Sequence, residues 1–113
     1  MEQRSIDWLH NNLGGDIIVL RPSSFEGQKI SDLLWRGKPL ELKHVTGNLT
    51  SMDKSIQRGL KQTNGGGILL DVTGAKFSDQ DATEKAINRL VRKGFGYVIM
   101  IRDNNLVSYI YRE

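Results

Sequence analysis

The sequence predicts a single α+β domain, in which one largely antiparallel sheet of about five to six strands carries helices on one face. Two observations lead to this prediction. Short apolar runs with the spacing of strands alternate with longer segments that have the apolar periodicity of helices. The length, 113 residues, suits one hydrophobic core and not two. We therefore expect residues 1–113 to form one domain.

The first half of the chain predicts one helix and three strands. Ser5 is a candidate cap for the helix, whose apolar residues recur at helical spacing until Gly14-Gly15 ends it. The continuous apolar run 17–20 predicts a buried strand, and the polar segment 21–29 predicts a loop. The two strands that follow are expected to form a hairpin: residues 30–35 and 40–45.

The second half predicts two helices and three strands. Thr50 or Ser51 can cap a helix that runs to about Gln62, and the apolar run 68–72 predicts the next strand. The last helix is predicted to begin after Ser78 and to end at Gly94. A closing hairpin is expected around residues 103–105, between strands 97–102 and 106–112.

Composition excludes several classes of site. The chain contains no cysteine, which excludes disulfides and thiolate metal sites, and two histidines are too few for a histidine-based zinc site. No apolar run approaches about 18 residues and no signal-like segment begins the chain, so we expect neither a membrane span nor a secretion signal. The net charge of +3 permits a polyanionic partner without requiring one.

The hairpin centred on residues 32–43 gives the strongest indication of function. A reversal at Gly37-Lys38, or in a four-residue loop, would create these pairs: Trp35 with Leu40, Leu33 with Leu42, and Asp32 with Lys43. Asp32, Glu41 and Lys43 would then share the open face of the sheet, opposite a wholly apolar face. Two carboxylates and an ammonium group suit phosphodiester chemistry, so these three are candidate catalytic residues. A solvated face with a cross-strand ion pair is the alternative.

The closing hairpin supplies a second set of candidates. A face that combined Arg102 with one or two tyrosines could hold a phosphate and contact a nucleotide. We therefore regard Arg102 and Tyr109 as candidate catalytic residues and Tyr111 as a candidate nucleic-acid contact. The alternative is that the tyrosines pack against a helix with their hydroxyls at the rim.

Basic residues also recur along the second predicted helix. Lys54, Arg58 and Lys61 follow helical spacing and could contact a phosphate backbone. A solvated helix face is the alternative.

Taken in order, these motifs resemble a known family: Ser31-Asp32-Leu33-Leu34-Trp35, Gly37-Lys38, Glu41-Leu42-Lys43, a helix ending Leu60-Lys61-Gln62, the strand 68–71 and the terminal hairpin. The chain resembles the C-terminal toxin domains of contact-dependent growth inhibition proteins and related domains of phage head-morphogenesis proteins, within the barnase–EndoU–colicin–RelE group of ribonucleases. The resemblance spans nearly the whole chain through short motifs, and Ser31 stands where the family has proline. Asp32, Glu41, Lys43 and Gln62 match recurring positions of the family, and the resemblance makes Gln62 a candidate nucleic-acid contact.

The resemblance implies a toxin ribonuclease, most often one that cleaves tRNA. It implies a metal-independent reaction in which a general base deprotonates a ribose 2′-hydroxyl, which attacks the adjacent phosphate while cationic donors stabilise the developing charge. It also implies that the domain is delivered as the tail of a larger secreted or phage-packaged protein and acts in the cytoplasm of a target cell. A cognate immunity protein, expected to be acidic, would neutralise it.

Two other interpretations remain open. Asp32 followed by Glu41-Leu42-Lys43 also satisfies the PD-(D/E)xK nuclease core, in which Asp32 and Glu41 would bind Mg²⁺ and Lys43 would orient the attacking water, on DNA or tRNA. A non-catalytic module that binds a protein partner is the third interpretation. We favour the ribonuclease, which requires no cofactor.

Overall fold

The computed structural model of this protein describes residues 2–19, 33–63, 66–94 and 96–112. These residues form three helices and six strands in one open sheet whose strands follow chain order. The elements are α1 (Glu2–Asn12), β1 (Ile17–Val19), β2 (Leu33–Trp35), β3 (Lys38–His44), α2 (Leu49–Thr63), β4 (Gly67–Asp71), α3 (Asp79–Lys93), β5 (Gly96–Arg102) and β6 (Asn105–Arg112). The predicted α+β class is confirmed.

The sheet is mixed, which differs from the largely antiparallel sheet that we expected. β1, β2 and β3 form an antiparallel meander, and β5 pairs antiparallel with β6. The two central pairs, β3–β4 and β4–β5, are parallel. α2 and α3 each return the chain to the edge of the sheet at which the preceding strand began. The next strand therefore runs in the same direction as the one before it.

Helices lie on both faces of the sheet. On one face, α2 packs on β3 and β4 while α3 packs on β5 and β6. The core on this side includes Ile68 and Leu70 of β4. On the other face, Trp8 and Leu9 of α1 pack against a core that includes Leu69. α1 therefore departs from the expectation that all helices share one face, because the central strands are apolar on both faces and need cover on both.

The turn between β2 and β3 lies one residue earlier than the predicted reversal at Gly37-Lys38. Arg36 and Gly37 form a two-residue turn with φ values of 51° and 79°, the positive values that match strand twist in such turns. Leu33 therefore pairs with Leu40, and Trp35 pairs with Lys38. This register differs from the predicted one by two residues, so each side chain in the described part of the hairpin keeps its predicted face. Asp32 lies outside the described residues.

Of the predicted N-terminal caps, only Ser78 of α3 is confirmed. Ser78 accepts a hydrogen bond from the backbone N–H of Asp81 at 3.1 Å, and Gly94 adopts a left-handed conformation at the C-terminus. At α2, Asn48 is the cap in place of Thr50 or Ser51, since its Oδ1 accepts from the Ser51 N–H at 2.9 Å. The predicted cap of the first helix, Ser5, lies buried inside α1.

An aromatic cluster on the α1 face depends on a glycine in β4. The Tyr97 ring extends across Gly67 towards β3, and its hydroxyl donates to the Pro39 carbonyl at 3.1 Å. Trp35 packs on Tyr97 with ring centroids 5.8 Å apart. Burial raises the pKa of Tyr97 above its usual range, so the hydroxyl keeps the proton that it donates.

Replacing Gly67 with alanine should destabilise the fold. The added Cβ would lie 2.3 Å from the Tyr97 carbonyl oxygen and 2.5 Å from its ring. Because backbone cannot move aside cheaply, we expect Gly67→Ala to lower the free energy of unfolding by about 1–3 kcal/mol in urea titrations. Gly47→Ala is the control, since its Cβ would meet only the Ser51 side chain, with Oγ at 3.1 Å and Cβ at 3.3 Å. Equal effects of the two variants would contradict this account.

Candidate active site

Glu41 and Lys43 lie together on the face of β3 that α2 covers. Their partners on β4 are Ile68 and Leu70, which belong to the core beneath α2 and α3. Only 5% of Glu41 is exposed, so the face that we expected to be open is covered at this point. The Lys43 Nζ lies 3.7 Å from the Glu41 Oε1, and 30% of the Lys43 side chain remains exposed. The pair thus joins a buried carboxylate to an ammonium group that reaches solvent.

A buried carboxylate is costly to keep in a protein. Removing a charged group from water destabilises the folded state unless a partner compensates. Replacing a buried ion pair by apolar side chains often leaves the stability unchanged or raises it. A surrounding core would accept an apolar residue at position 41, since Ile68 and Leu70 are its neighbours. Packing alone does not explain a buried carboxylate beside an ammonium group that reaches solvent, which makes Glu41 and Lys43 a candidate functional pair.

The pair lies where the cover of α2 and α3 ends. Among the described residues, the core under these helices includes members of β4 and β5 but none of β1 or β2. On the same face, Ile18 of β1 is 57% exposed and Leu34 of β2 is half-buried. Lys43, with 30% of its side chain exposed, is therefore the member of the pair that a ligand can reach.

An ion pair between α2 and α3 sets the orientation of α2. Arg89 donates from Nε to the Asp53 carboxylate at 3.0 Å and from Nη2 to its second oxygen. This hydrogen bonding lowers the pKa of Asp53 and raises that of Arg89. Further along α2, Gly59 lies directly against β4, since a Cβ added at Gly59 would be 2.2 Å from the Ile68 Cγ2. Ile68 is the strand partner of Glu41, so the helix lies close to the sheet beside that carboxylate.

The candidate contacts for nucleic acid are partly described. Lys54, Arg58 and Lys61 are all exposed on α2, the helix that covers Glu41. The side chain of Gln62 lies outside the described part of the structure, so its predicted role stays a prediction. Tyr111 is exposed on β6, but on the α1 face, away from Glu41.

Arg102 and Tyr109 lie on opposite faces, so the hypothesis that they share a phosphate-binding face is wrong. The register aligns Tyr109 with Ile99, whose side chain belongs to the α1 face. Tyr109 packs there on Trp35 of β2, with ring centroids 6.0 Å apart. Arg102 instead contacts the start of α3, where it donates to the Phe77 carbonyl at 2.8 Å and pairs with Asp79 at 3.1 Å. Their separate roles stay predictions.

One cavity was not predicted from the sequence. It has a volume of about 570 Å³ and lies at the carboxyl ends of β3 and β4, where open α/β sheets often bind ligands. Its lining comes from two segments that only the fold brings together, residues 46–50 and the pair Lys76 and Phe77. No local sequence pattern could have revealed it, since neither segment carries a motif.

A metal ion would need more ligands than the described residues supply. Within residues 2–19, 33–63, 66–94 and 96–112, no group of three or more His, Cys, Asp or Glu side chains could hold a metal ion. Glu41 provides one carboxylate, and the metal-dependent alternative takes the second from Asp32, which lies outside these ranges. The two nuclease mechanisms therefore both stay predictions.

Comparison with known proteins adds no identification. No protein family, curated protein or solved structure matches this chain. None of the described helices is long and apolar enough to cross a membrane. The chemistry of Glu41, Lys43 and their surroundings is consequently the basis for assigning a function.

The Asp53–Arg89 ion pair makes stability depend on pH. Because folding lowers the pKa of Asp53 from 3.8, the pair stabilises the fold above that pH and loses its effect as the pH falls through the lowered value. We expect Arg89→Gln to reduce the free energy of unfolding by about 1–2 kcal/mol at pH 7, and by much less at pH 3.

Urea unfolding at the two pH values measures the difference. Lys61→Gln, an exposed change on α2, is the control and should have little effect at either pH. A loss in Arg89→Gln that stays constant with pH would show that packing, and not charge, accounts for it.

Proposed function

We propose that this protein is a nuclease that cleaves RNA, with Glu41 and Lys43 at its catalytic centre. The observation that carries the proposal is the buried Glu41 carboxylate, 3.7 Å from a Lys43 ammonium group that reaches solvent. Cleaving a phosphodiester requires a group that accepts a proton and a cation that stabilises charge on the phosphate oxygens. The two side chains meet both requirements at one point of the surface.

In the favoured mechanism, Glu41 accepts the proton of a ribose 2′-hydroxyl. The 2′ oxygen then forms a bond to the adjacent phosphorus, the bond from phosphorus to the 5′ oxygen breaks, and the leaving oxygen takes up a proton. Lys43 donates to a non-bridging oxygen as negative charge develops there. Partial exclusion of water around Glu41 strengthens these electrostatic interactions, because charges interact more strongly at low dielectric.

The surroundings of the pair suit a polyanion. Lys54, Arg58 and Lys61 are exposed on α2, which carries one acidic residue, Asp53, already paired with Arg89. The net charge of +3 for the chain also favours binding of a polyanion. The family resemblance adds the expectation of a tRNA-cleaving toxin, delivered by a larger protein and neutralised by an acidic immunity protein that competes for these cations.

The metal-dependent nuclease is the second candidate. It is favoured by one observation, the shared face of Glu41 and Lys43, which that mechanism also needs. Glu41 and Asp32 would hold Mg²⁺, which would lower the pKa of a bound water, and Lys43 would orient that water.

Metal dependence separates these candidates. Purified protein is incubated with total RNA and with plasmid DNA, each with and without EDTA, and the products are separated on gels. We expect RNA to be cleaved in EDTA and plasmid DNA to stay intact. Activity that vanishes in EDTA and returns with Mg²⁺ would favour the second candidate. No cleavage of either polymer would overturn both nuclease proposals and favour a protein-binding module.

Lys43→Ala should abolish cleavage and also lower stability. It leaves the buried Glu41 carboxylate without this cation, which should reduce the free energy of unfolding by about 1–3 kcal/mol, so urea titration must show that the variant is still folded in the cleavage assay. Lys38→Ala is the matched control, because Lys38 lies on the same strand but projects to the other face and is exposed. Glu41→Gln, nearly the same size as glutamate, should also lose activity. Wild-type cleavage by Lys43→Ala would move the catalytic centre elsewhere.

A further inference from the structure

The large apolar side chains that remain exposed are concentrated at one edge of the sheet. Two lie on α3, where Ile87 is 42% exposed and Val91 is 55% exposed. Three more lie on β6: Leu106, Tyr109 and Tyr111. Within the described ranges, the other exposed side chain of this kind is Ile18 of β1. Since β6 is the last strand of the sheet, the side chains on α3 and β6 flank an edge.

The side of α3 that faces β6 carries no charge. Thr83 lies on this side, since its hydroxyl donates to the Ser108 hydroxyl of β6 at 3.3 Å, whereas Arg89 points to α2. Residues spaced by three or four share one side of a helix, so this side is a single row: Gln80, Thr83, Ile87 and Val91. On β6, the charged residue is Arg112, at the end of the strand. A second copy of this chain, which has the same net charge of +3, can therefore approach this surface without placing like charges together.

The spacing of the elements suits two copies joined through β6. Neighbouring strands lie about 4.8 Å apart, and α3 packs on both β5 and β6. If the β6 strands of two copies pair antiparallel, the two-fold axis is perpendicular to the sheet and both α3 helices lie on the same face, about 10 Å apart. Packed helices lie about 8–10 Å apart. One joined sheet would therefore bring the two α3 helices into contact.

The hydrogen bond between Thr83 and Ser108 places Ile87 near the centre of such a contact. α3 runs in the direction of β6, since it connects the parallel strands β4 and β5 while β6 is antiparallel to β5. Four helical residues advance about 6 Å and two strand residues about 6.6 Å, so Ile87 lies level with Ile110. A bulge at Val107 leaves residues 108–112 as the regular part of β6, with Ile110 at its centre. A two-fold axis at Ile110 therefore places the Ile87 side chains of both copies opposite each other.

We propose that this protein forms a symmetric dimer in which the β6 strands pair antiparallel and the α3 helices pack through Ile87. An edge strand is a template for pairing, and β6 contains neither the proline nor the lysine that commonly blocks it. One strand and one helix side from each copy is a small contact beside the about 1,200–2,000 Å² that specific interfaces bury, so we expect a Kd in the micromolar range. The proposal is independent of the nuclease, because β4 and β5 separate β6 from Glu41 and Lys43 on β3.

The mass of the protein in solution tests the dimer. Sedimentation equilibrium is measured on the full chain at concentrations from about 1 μM to about 500 μM, a range that brackets the expected Kd. We expect twice the monomer mass at the highest concentrations and the monomer mass at the lowest. A monomer mass throughout this range would overturn the proposal.

Matched lysine variants locate the interface. Ile87→Lys places two ammonium groups against each other at the axis and should raise the Kd of the dimer at least about ten-fold. Tyr111→Lys should raise it as well, since Tyr111 is exposed on the regular part of β6. Ile18→Lys is the control, because Ile18 is 57% exposed on β1, at the opposite edge of the sheet, and should leave the Kd unchanged. A Kd that responds to Ile18→Lys as much as to Ile87→Lys would overturn the proposal.

Single cysteines test the position of the axis, since the chain contains no cysteine of its own. With helix axes about 10 Å apart, the two Cα atoms at position 87 lie about 5 Å apart, which suits a disulfide, whereas those at position 91 lie about 12 Å apart or more. We expect Ile87→Cys to give a disulfide-linked dimer on oxidation with copper phenanthroline, and Val91→Cys to give little. Equal cross-linking of the two variants, or none at position 87, would overturn this arrangement.

Urea unfolding of each variant checks that the fold is retained. We expect retention because the substituted side chains, at positions 18, 87, 91 and 111, are all exposed. If the lysine variants stay folded and the Kd is unaffected by Ile87→Lys and Tyr111→Lys, the proposal is overturned.

Discussion

The complete burial of β4 is the constraint on which the architecture depends. All five residues of this strand are buried, so both faces of the sheet must be covered at its centre. α2 and α3 provide the cover on one side, and α1 provides it on the other. The crossover helices also make β3, β4 and β5 parallel. Among the described residues, the core under α2 and α3 includes none from β1 or β2, and Ile18 of β1 is 57% exposed on that face.

The position of Glu41 follows from this geometry. β4 beside it is buried at every residue, whereas Ile18 of β1, on the same face, is 57% exposed. On β3, Glu41 is buried beside Ile68, yet its neighbour Lys43 reaches the surface. The pair at this boundary therefore joins a desolvated carboxylate to an ammonium group that can meet a ligand.

Sequence patterns predicted local features better than the pairing between them. The turns at Arg36-Gly37 and Asp103-Asn104 lie within the predicted hairpin loops, because residues with positive φ mark such turns locally. The register of the first hairpin was predicted two residues out, since several loop lengths suit the same alternation. The shared face of Glu41 and Lys43 survived this error because an even shift preserves alternation. The shared face of Arg102 and Tyr109 did not, because it depended on the register of two separate strands.

The sequence by itself determined the α+β class, the order of its elements and the placement of Glu41 and Lys43 on one side of a strand. Each of these depends on periodicity within a short segment, which side-chain chemistry encodes directly. Only the tertiary structure decided that this side is covered by α2 and that α1 lies on the opposite face. These features arise from contacts between segments distant in sequence, and packing around β4, not any local pattern, selects them.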